Sequence, residues 1–153
     1  MPLPVKNVPS TVRPQEDITL LLLTPDDDDV AAVRNVFHHP GWKVERSTNL
    51  AGARQRLPQV AVVLCEKDLP DGDWKDVLES LGRDSGSPLL IVTSRHADEL
   101  LWAEVLNLGG YDVLQKPFET SEIMRVVSMA WRHRKSQAME RRATSPSPLA
   151  LSA

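Results

Sequence analysis

Glu66, Thr93 and Lys116 are the residues of this 153-residue chain whose chemistry and spacing stand out. Each closes an apolar run: Leu64-Cys65-Glu66 leads into Lys67-Asp68-Leu69-Pro70, Ile91-Val92-Thr93 into Ser94, and Val113-Leu114-Gln115-Lys116 into Pro117-Phe118. A carboxylate and an ammonium within reach form an ion pair, and a hydroxyl satisfies whatever acceptor lies beside it. The plainer expectation for Thr93 and Lys116 is structural, with the hydroxyl serving a backbone group and the lysine facing water. A second cluster, Asp26-Asp27-Asp28-Asp29, follows the apolar run Leu20-Leu21-Leu22-Leu23 and the pair Thr24-Pro25. Carboxylates there suit the free N–H groups and positive dipole end of a helix, so capping and solvation are expected rather than a displaced metal site. Asp68, Asp71 and Asp73 read as loop and cap residues.

The elements that must position these groups alternate. Ile18 to Leu23 is apolar without alternation, the pattern of a parallel strand buried on both faces. Val30, Val33, Val36 and Phe37 recur at helical spacing before Pro40-Gly41. Strands are expected at Trp42 to Arg46, Val60 to Cys65, Leu89 to Thr93 and Tyr111 to Leu114. Helices are expected at about Leu50 to Leu57, from Trp74 through Leu81, at Asp98 to Leu108, and from Ser121 with Ile123, Val126, Val127 and Ala130 on one face. Parallel connections need crossovers whose helices bury one face. The expectation is therefore a doubly wound α/β domain with a five-stranded parallel sheet. Such sheets carry functional groups at the carboxyl ends of their strands, where Glu66, Thr93 and Lys116 fall.

These strand ends together resemble the phosphorylation pocket of a response-regulator receiver domain of the chemotaxis-receiver type, over roughly residues 18 to 132, with one apparent insertion near the fourth helix. The resemblance implies the flavodoxin-like receiver fold and a pocket in which a carboxylate accepts a phosphoryl group with help from Mg²⁺, a lysine and a hydroxyl. By that resemblance Glu66 holds the phosphoacceptor position, Thr93 the switch hydroxyl, and Lys116 the lysine that precedes a cis proline. Thr24 and Pro25 hold the places of the metal-binding acids, and Val113 that of an aromatic switch residue. The departures from the pattern define an atypical receiver. Glutamate reaches one methylene farther than aspartate, and a displacement near 1 Å costs about a hundredfold where positioning governs the reaction. Glu66 could instead approach Lys116 and imitate the charge of a phosphorylated state.

Hydrophobic content of 41% and charged content of 25% suit one globular domain, and a net charge of −3 gives no electrostatic reason for nucleic-acid binding. The single cysteine, Cys65, cannot form an internal disulfide. Residues 1–17 are expected to form a flexible arm, 18–135 the receiver-like domain, and 136–153 a helix end and disordered tail. No output domain is expected to follow, and no secretion signal or membrane span is visible, so a cytoplasmic location is expected. The basic end of the last helix, Arg132-His133-Arg134-Lys135 with Arg141-Arg142, suits the helix dipole.

The resulting expectation is a non-enzymatic, phosphorylation-independent module of two-component signalling, without metal or cofactor. It would act through the fourth helix, fifth strand and last helix on a signalling protein or a second copy, with a histidine kinase among the candidate partners and neither nucleic acid nor membrane. Trp102, Tyr111, Val113 and Trp131 are its interface candidates. Two alternatives stand beside it. One is a phosphorylatable receiver in which Asp26 or Asp27 moves into the pocket with Mg²⁺. The other is a flavodoxin-like small-ligand binder, disfavoured by an acidic, glycine-free loop after the first strand.

Overall fold

A computed structural model describes residues 18–82 and 86–144, with side chains through Glu140. The expected arm (1–17) and the tail beyond Thr144 lie outside the described residues. The sheet strands are β1 (Ile18–Leu23), β2 (Trp42–Ser47), β3 (Val62–Glu66), β4 (Leu89–Ser94) and β5 (Asp112–Gln115). The helices are α1 (Asp27–Val36), α2 (Leu50–Ala53), α3 (Trp74–Leu81), α4 (Glu99–Leu108) and α5 (Thr120–Thr144). All five sheet strands run parallel in the order β2-β1-β3-β4-β5, the flavodoxin-like receiver topology.

Period-two alternation splits the apolar strand residues between two layers. Leu21, Leu23, Val63, Cys65, Leu90 and Val92 pack with Leu50, Trp74, Val77, Leu101 and Val105 on one face. Leu20, Leu22, Val62, Leu64, Ile91 and Leu114 pack with Val33, Val36, Ile123, Val127 and Ala130 on the other. Each fully buried aliphatic or aromatic side chain here contributes roughly 1.5–3 kcal/mol of transfer free energy.

Element boundaries differ from the sequence expectation at several places. The helix expected to reach Leu57 stops at Ala53, and a short 3₁₀ turn, Leu57–Gln59, follows. Pro58 has no N–H for an α-helical ladder and sits comfortably in the first turn of the new element. Strand β3 starts at Val62 rather than Val60 and ends on Glu66, one residue later than Cys65. The helix α5 runs on to Thr144.

The loops that hold the site are capped locally. Asp26 is the N-cap of α1 and accepts from the Asp28 N–H. Asp73 and Asp76 form a reciprocal capping box on α3, while the Asp71 carboxylate accepts from Leu50 N–H at 2.8 Å and Ala51 N–H at 3.0 Å, capping α2 from a distant loop. Gly109 ends α4 with φ of 109°, a conformation that favours glycine.

Candidate functional site: a carboxylate pair around Lys116

Sheet register brings the strand-end groups together. Glu66 is the direct partner of Thr93 across β3 and β4, and Ser94 is the partner of Gln115 across β4 and β5. The ladder continues one step beyond the strands: Lys67 N–H donates to Thr93 O at 2.9 Å and Lys116 N–H to Ser94 O at 2.9 Å. The Lys116–Pro117 peptide bond is cis.

At the centre is the Lys116 ammonium. Its Nζ lies 2.8 Å from Glu66 Oε2 and 2.8 Å from Asp29 Oδ2. Each acceptor oxygen takes a second donor, a hydroxyl: Thr93 Oγ1 donates to Glu66 Oε2 at 3.0 Å, and Thr24 Oγ1 to Asp29 Oδ2 at 3.0 Å. Thr24 Oγ1 in turn accepts from the Asp26 N–H at 3.1 Å, tying the end of β1 to the cap of α1. The Lys116 side chain is 4% exposed, that of Asp29 8% and that of Glu66 21%. Burial alone would lower the Lys116 pKa, but hydrogen bonds to Asp29 and Glu66 and their negative charge outweigh it and hold the group above its ordinary range. Next to the site, burial and the charge of Glu66 push the pKa of the Cys65 thiol well up.

Lys116 therefore does not face water, and the Thr93 hydroxyl serves a carboxylate rather than a backbone group, contrary to the structural expectation for both. Thr24 is buried in the site, whereas Pro25 is exposed. The aspartate run divides. Asp26 caps α1 and places Oδ2 3.5 Å from Arg95; Asp27 pairs with Arg46 at 2.9 Å on the outside; Asp28 is exposed. The Asp26 carboxylate accepts from Asp28 N–H and faces Arg95, and that of Asp27 faces Arg46, although the Lys116 charge helps to lower the Asp26 pKa. The acid that joins Glu66 at Lys116 is Asp29, which capping logic assigned to the solvated first turn. A usable signal existed: position 29 lies four residues before Val33 and seven before Val36, at the head of the apolar stripe that α1 buries.

The receiver fold implies a divalent metal, and the donor set here does not fit one. Thr24 supplies a hydroxyl already committed to Asp29, and Pro25 has no side-chain donor. Asp29 and Glu66 each direct one oxygen at an ammonium. Among the described residues no group of three or more His, Cys, Asp or Glu side chains is placed to hold a metal ion.

The interface candidates differ in exposure and in the layer they pack against, Val113 with the α2/α3/α4 layer and Tyr111 and Trp131 with the α1/α5 layer. Trp102 is 49% exposed and lines a cleft of about 260 Å³ with Ala97, Asp98, Val113, Gln115 and Glu122. Tyr111 and Trp131 are half-buried against the α1/α5 layer, with Tyr111 against the His133 ring and the Lys135 ammonium over the Trp131 ring. Val113 is half-buried behind Trp102.

A parallel sheet with acid, hydroxyl and lysine at the ends of β3, β4 and β5 defines a receiver. The chain belongs to the response regulator receiver domain family, whose model matches residues 22–128. It is 33% identical over 116 residues to the "Probable transcriptional regulatory protein TcrX" of Mycobacterium tuberculosis, covering 71% of this chain and 47% of that one. The chain thus spans less than half the length of this relative. Among solved structures, the signal receiver domain of an HD domain-containing protein from Pseudomonas fluorescens Pf-5 has a TM-score of 0.70 at 21% identity, covering 79% of this chain and 99% of that one. A CheY-like response regulator receiver domain protein from Methanospirillum hungatei JF-1 has a TM-score of 0.69 at 14% identity, covering 80% and 99%. The chain is a receiver domain of two-component signalling, a class that generally works as a non-enzymatic module in contact with histidine kinases or other signalling proteins. No helix among the described residues is long and apolar enough to cross a membrane.

Proposed function

We propose that this receiver signals through protein contact without a phosphorylation cycle, region 18–135 being the working unit, in the cytoplasm. The single observation that carries the reading is the position of Glu66 Oε2, which accepts both the Thr93 hydroxyl at 3.0 Å and the Lys116 ammonium at 2.8 Å. Those are the groups a receiver presents to an incoming phosphoryl oxygen, and here a side-chain carboxylate already occupies them. Glu66 thereby supplies permanently the negative charge that phosphorylation would supply transiently. The alternative with Asp26 or Asp27 as metal ligands gains no support, because these acids serve the α1 cap and Arg46.

The contact face in this reading comprises α4, β5 and α5, and its partner is another signalling protein or a second copy. Trp102 is the anchor candidate, since it alone of the three interface aromatics is strongly exposed. A central aromatic anchor contributes about 2 kcal/mol or more, so Trp102→Ala should weaken association by roughly thirtyfold while the fold survives.

The deciding test is intact-mass measurement after incubation with Mg²⁺ and acetyl phosphate, on the wild type and Glu66→Asp. Neither protein should gain a phosphoryl group. A phosphoryl adduct on the wild type would overturn the reading; an adduct on Glu66→Asp alone would show that acceptor length is the whole lesion and that the metal deficit is not.

A further inference from the structure

Helix α4 carries a second exposed surface, on the flank away from Trp102. Leu100, Ala103, Glu104, Asn107 and Leu108 recur at helical spacing and line a groove of about 520 Å³. Leu100 is 79% exposed and Leu108 42%, while Leu101 and Val105 on the adjoining face are buried in the core. The groove borders α3, because Lys75 Nζ reaches Glu104 Oε2 at 2.9 Å, whereas Trp102 looks toward Val113 of β5. Two leucines and an alanine in one exposed row make a continuous apolar stripe rather than scattered contacts, and such a stripe marks a docking surface.

We propose that the occupant of this groove is the amino-terminal segment of the same chain, residues 3–13, an inference independent of the phosphorylation reading. The segment offers Leu3, Val5, Val8 and Val12 as apolar contacts and Lys6 and Arg13 as cations, with no acid before Glu16. Helix α4 and its cap offer the complement: Asp98, Glu99 and Glu104, and no cation. Pro2, Pro4, Pro9 and Pro14 bias the segment toward an extended polyproline conformation, so ordering it costs less than ordering a free chain. At about 3.1 Å per residue, Leu3 to Val8 would cover about 15 Å, against about 12 Å along α4 from Leu100 to Leu108. Reach is sufficient. Tyr111 N–H donates to Leu90 O just after α4, and register runs from Leu20 through Val62 to Leu89, so Leu108 and Ile18 lie toward the same edge of the sheet. From β1 to β4 is two strand spacings of about 4.8 Å, and a helix adds about 10 Å more, while Lys6 to Asp17 can span about 40 Å.

The test uses the full chain. Cys65 is buried, so a nitroxide attaches selectively at Asn107→Cys, in the groove, or at Arg34→Cys, on the exposed surface of α1. The label at position 107 should broaden the amide resonances between Leu3 and Val12, and the label at position 34 should leave them sharp. Adding Leu100→Gln and Leu108→Gln to the Asn107→Cys protein should abolish the broadening. In a protein without added cysteine, the same two glutamines should speed tryptic cleavage after Lys6 by at least about tenfold, since cleavage follows the undocked population. Isotope-labelled wild type mixed with unlabelled nitroxide protein should show no broadening, which separates a chain's own segment from that of a second copy. Sharp segment resonances with the label at 107, equal broadening from the label at 34, or broadening confined to the mixture would overturn the inference. The cleavage comparison decides the matter if the label disturbs α4: equal rates for wild type and the glutamine variant would also overturn it.

Discussion

Replacing Asp29 by alanine should be among the most damaging single acid-to-alanine changes in the aspartate run, although its neighbours look alike in sequence. Removing one partner of a buried ion pair leaves the other charge uncompensated, a loss of about 3–5 kcal/mol where no second partner exists. Lys116 keeps Glu66 at 2.8 Å, and Glu66 is 21% exposed, so part of that loss is recovered. The Thr24 hydroxyl, itself buried, also loses its acceptor, which adds about 1 kcal/mol. The expected destabilisation is roughly 2–4 kcal/mol. Asp27→Ala removes an acid that also pairs with an arginine at 2.9 Å, but the Asp27 side chain is 88% exposed, and such pairs contribute about 0–1 kcal/mol. Urea unfolding of both variants, with Lys116→Ala and the Asp29/Lys116 double variant completing a cycle, separates the pairwise coupling from cavity effects. Equal, small losses for Asp29→Ala and Asp27→Ala, or additive behaviour of Asp29 with Lys116, would refute the assignment of the pocket charge to Asp29.

Acid should destabilise the fold in the range where Asp26 and Asp71 titrate. Backbone N–H donation from Asp28 to Asp26, and from Leu50 and Ala51 to Asp71, holds both below the ordinary 3.8, so their stabilisation is present above that value and is lost as pH falls through the depressed folded values. The Lys116 contribution has the opposite sign: raised above 10.5, it is complete below that pH and is lost as pH rises through the folded value. Urea midpoints measured across pH should therefore decline at both ends, and a midpoint that rises on acidification would contradict the capping roles. Gly110→Ala should cost about 1–3 kcal/mol, because an added Cβ would collide with Val105 Cγ1 and press on the Val105 carbonyl at 3.1 Å; a melting temperature unchanged from wild type would show that α4 yields there.

The parts of this molecule legible in sequence are those where one physical rule dominates. Leu20 to Leu23, Val62 to Leu64 and Leu90 to Val92 are apolar at every position because both sheet faces are covered, and no competing pattern explains them. The ends of β3, β4 and β5 were legible for the same reason, since each polar group interrupts such a run. Helix α2 was misjudged in length because periodicity at Leu50, Ala53 and Leu57 is satisfied equally by a helix and by a broken turn, with Pro58 deciding between them. Asp29 was hidden by its neighbours. Within four consecutive acids at a helix start, capping accounts for Asp26, and nothing local distinguishes a solvated carboxylate from one turned inward. The distinction comes from Lys116, 87 residues away, and from the apolar stripe through Val33 and Val36.

That long-range dependence connects the two oddities of the pocket. An acid one turn into α1 is carried on the buried face of a helix and meets Lys116 from the side, where water is scarce. Such a carboxylate is tolerable only if a cation answers it, because an unpaired buried charge is far more costly than a buried pair. Glu66 then completes the arrangement: its extra methylene lengthens the reach from β3, and its Oε2 joins Lys116 while still accepting from Thr93. Restoring aspartate at 66 would shorten one arm and leave Asp29 in place, still drawing the lysine toward α1. Thr24, Asp29, Glu66, Thr93 and Lys116 are thus one hydrogen-bonded unit, and under the proposed phosphorylation-independent reading, phosphoryl chemistry would require freeing Lys116 from Asp29 as well as supplying acids at positions 24 and 25.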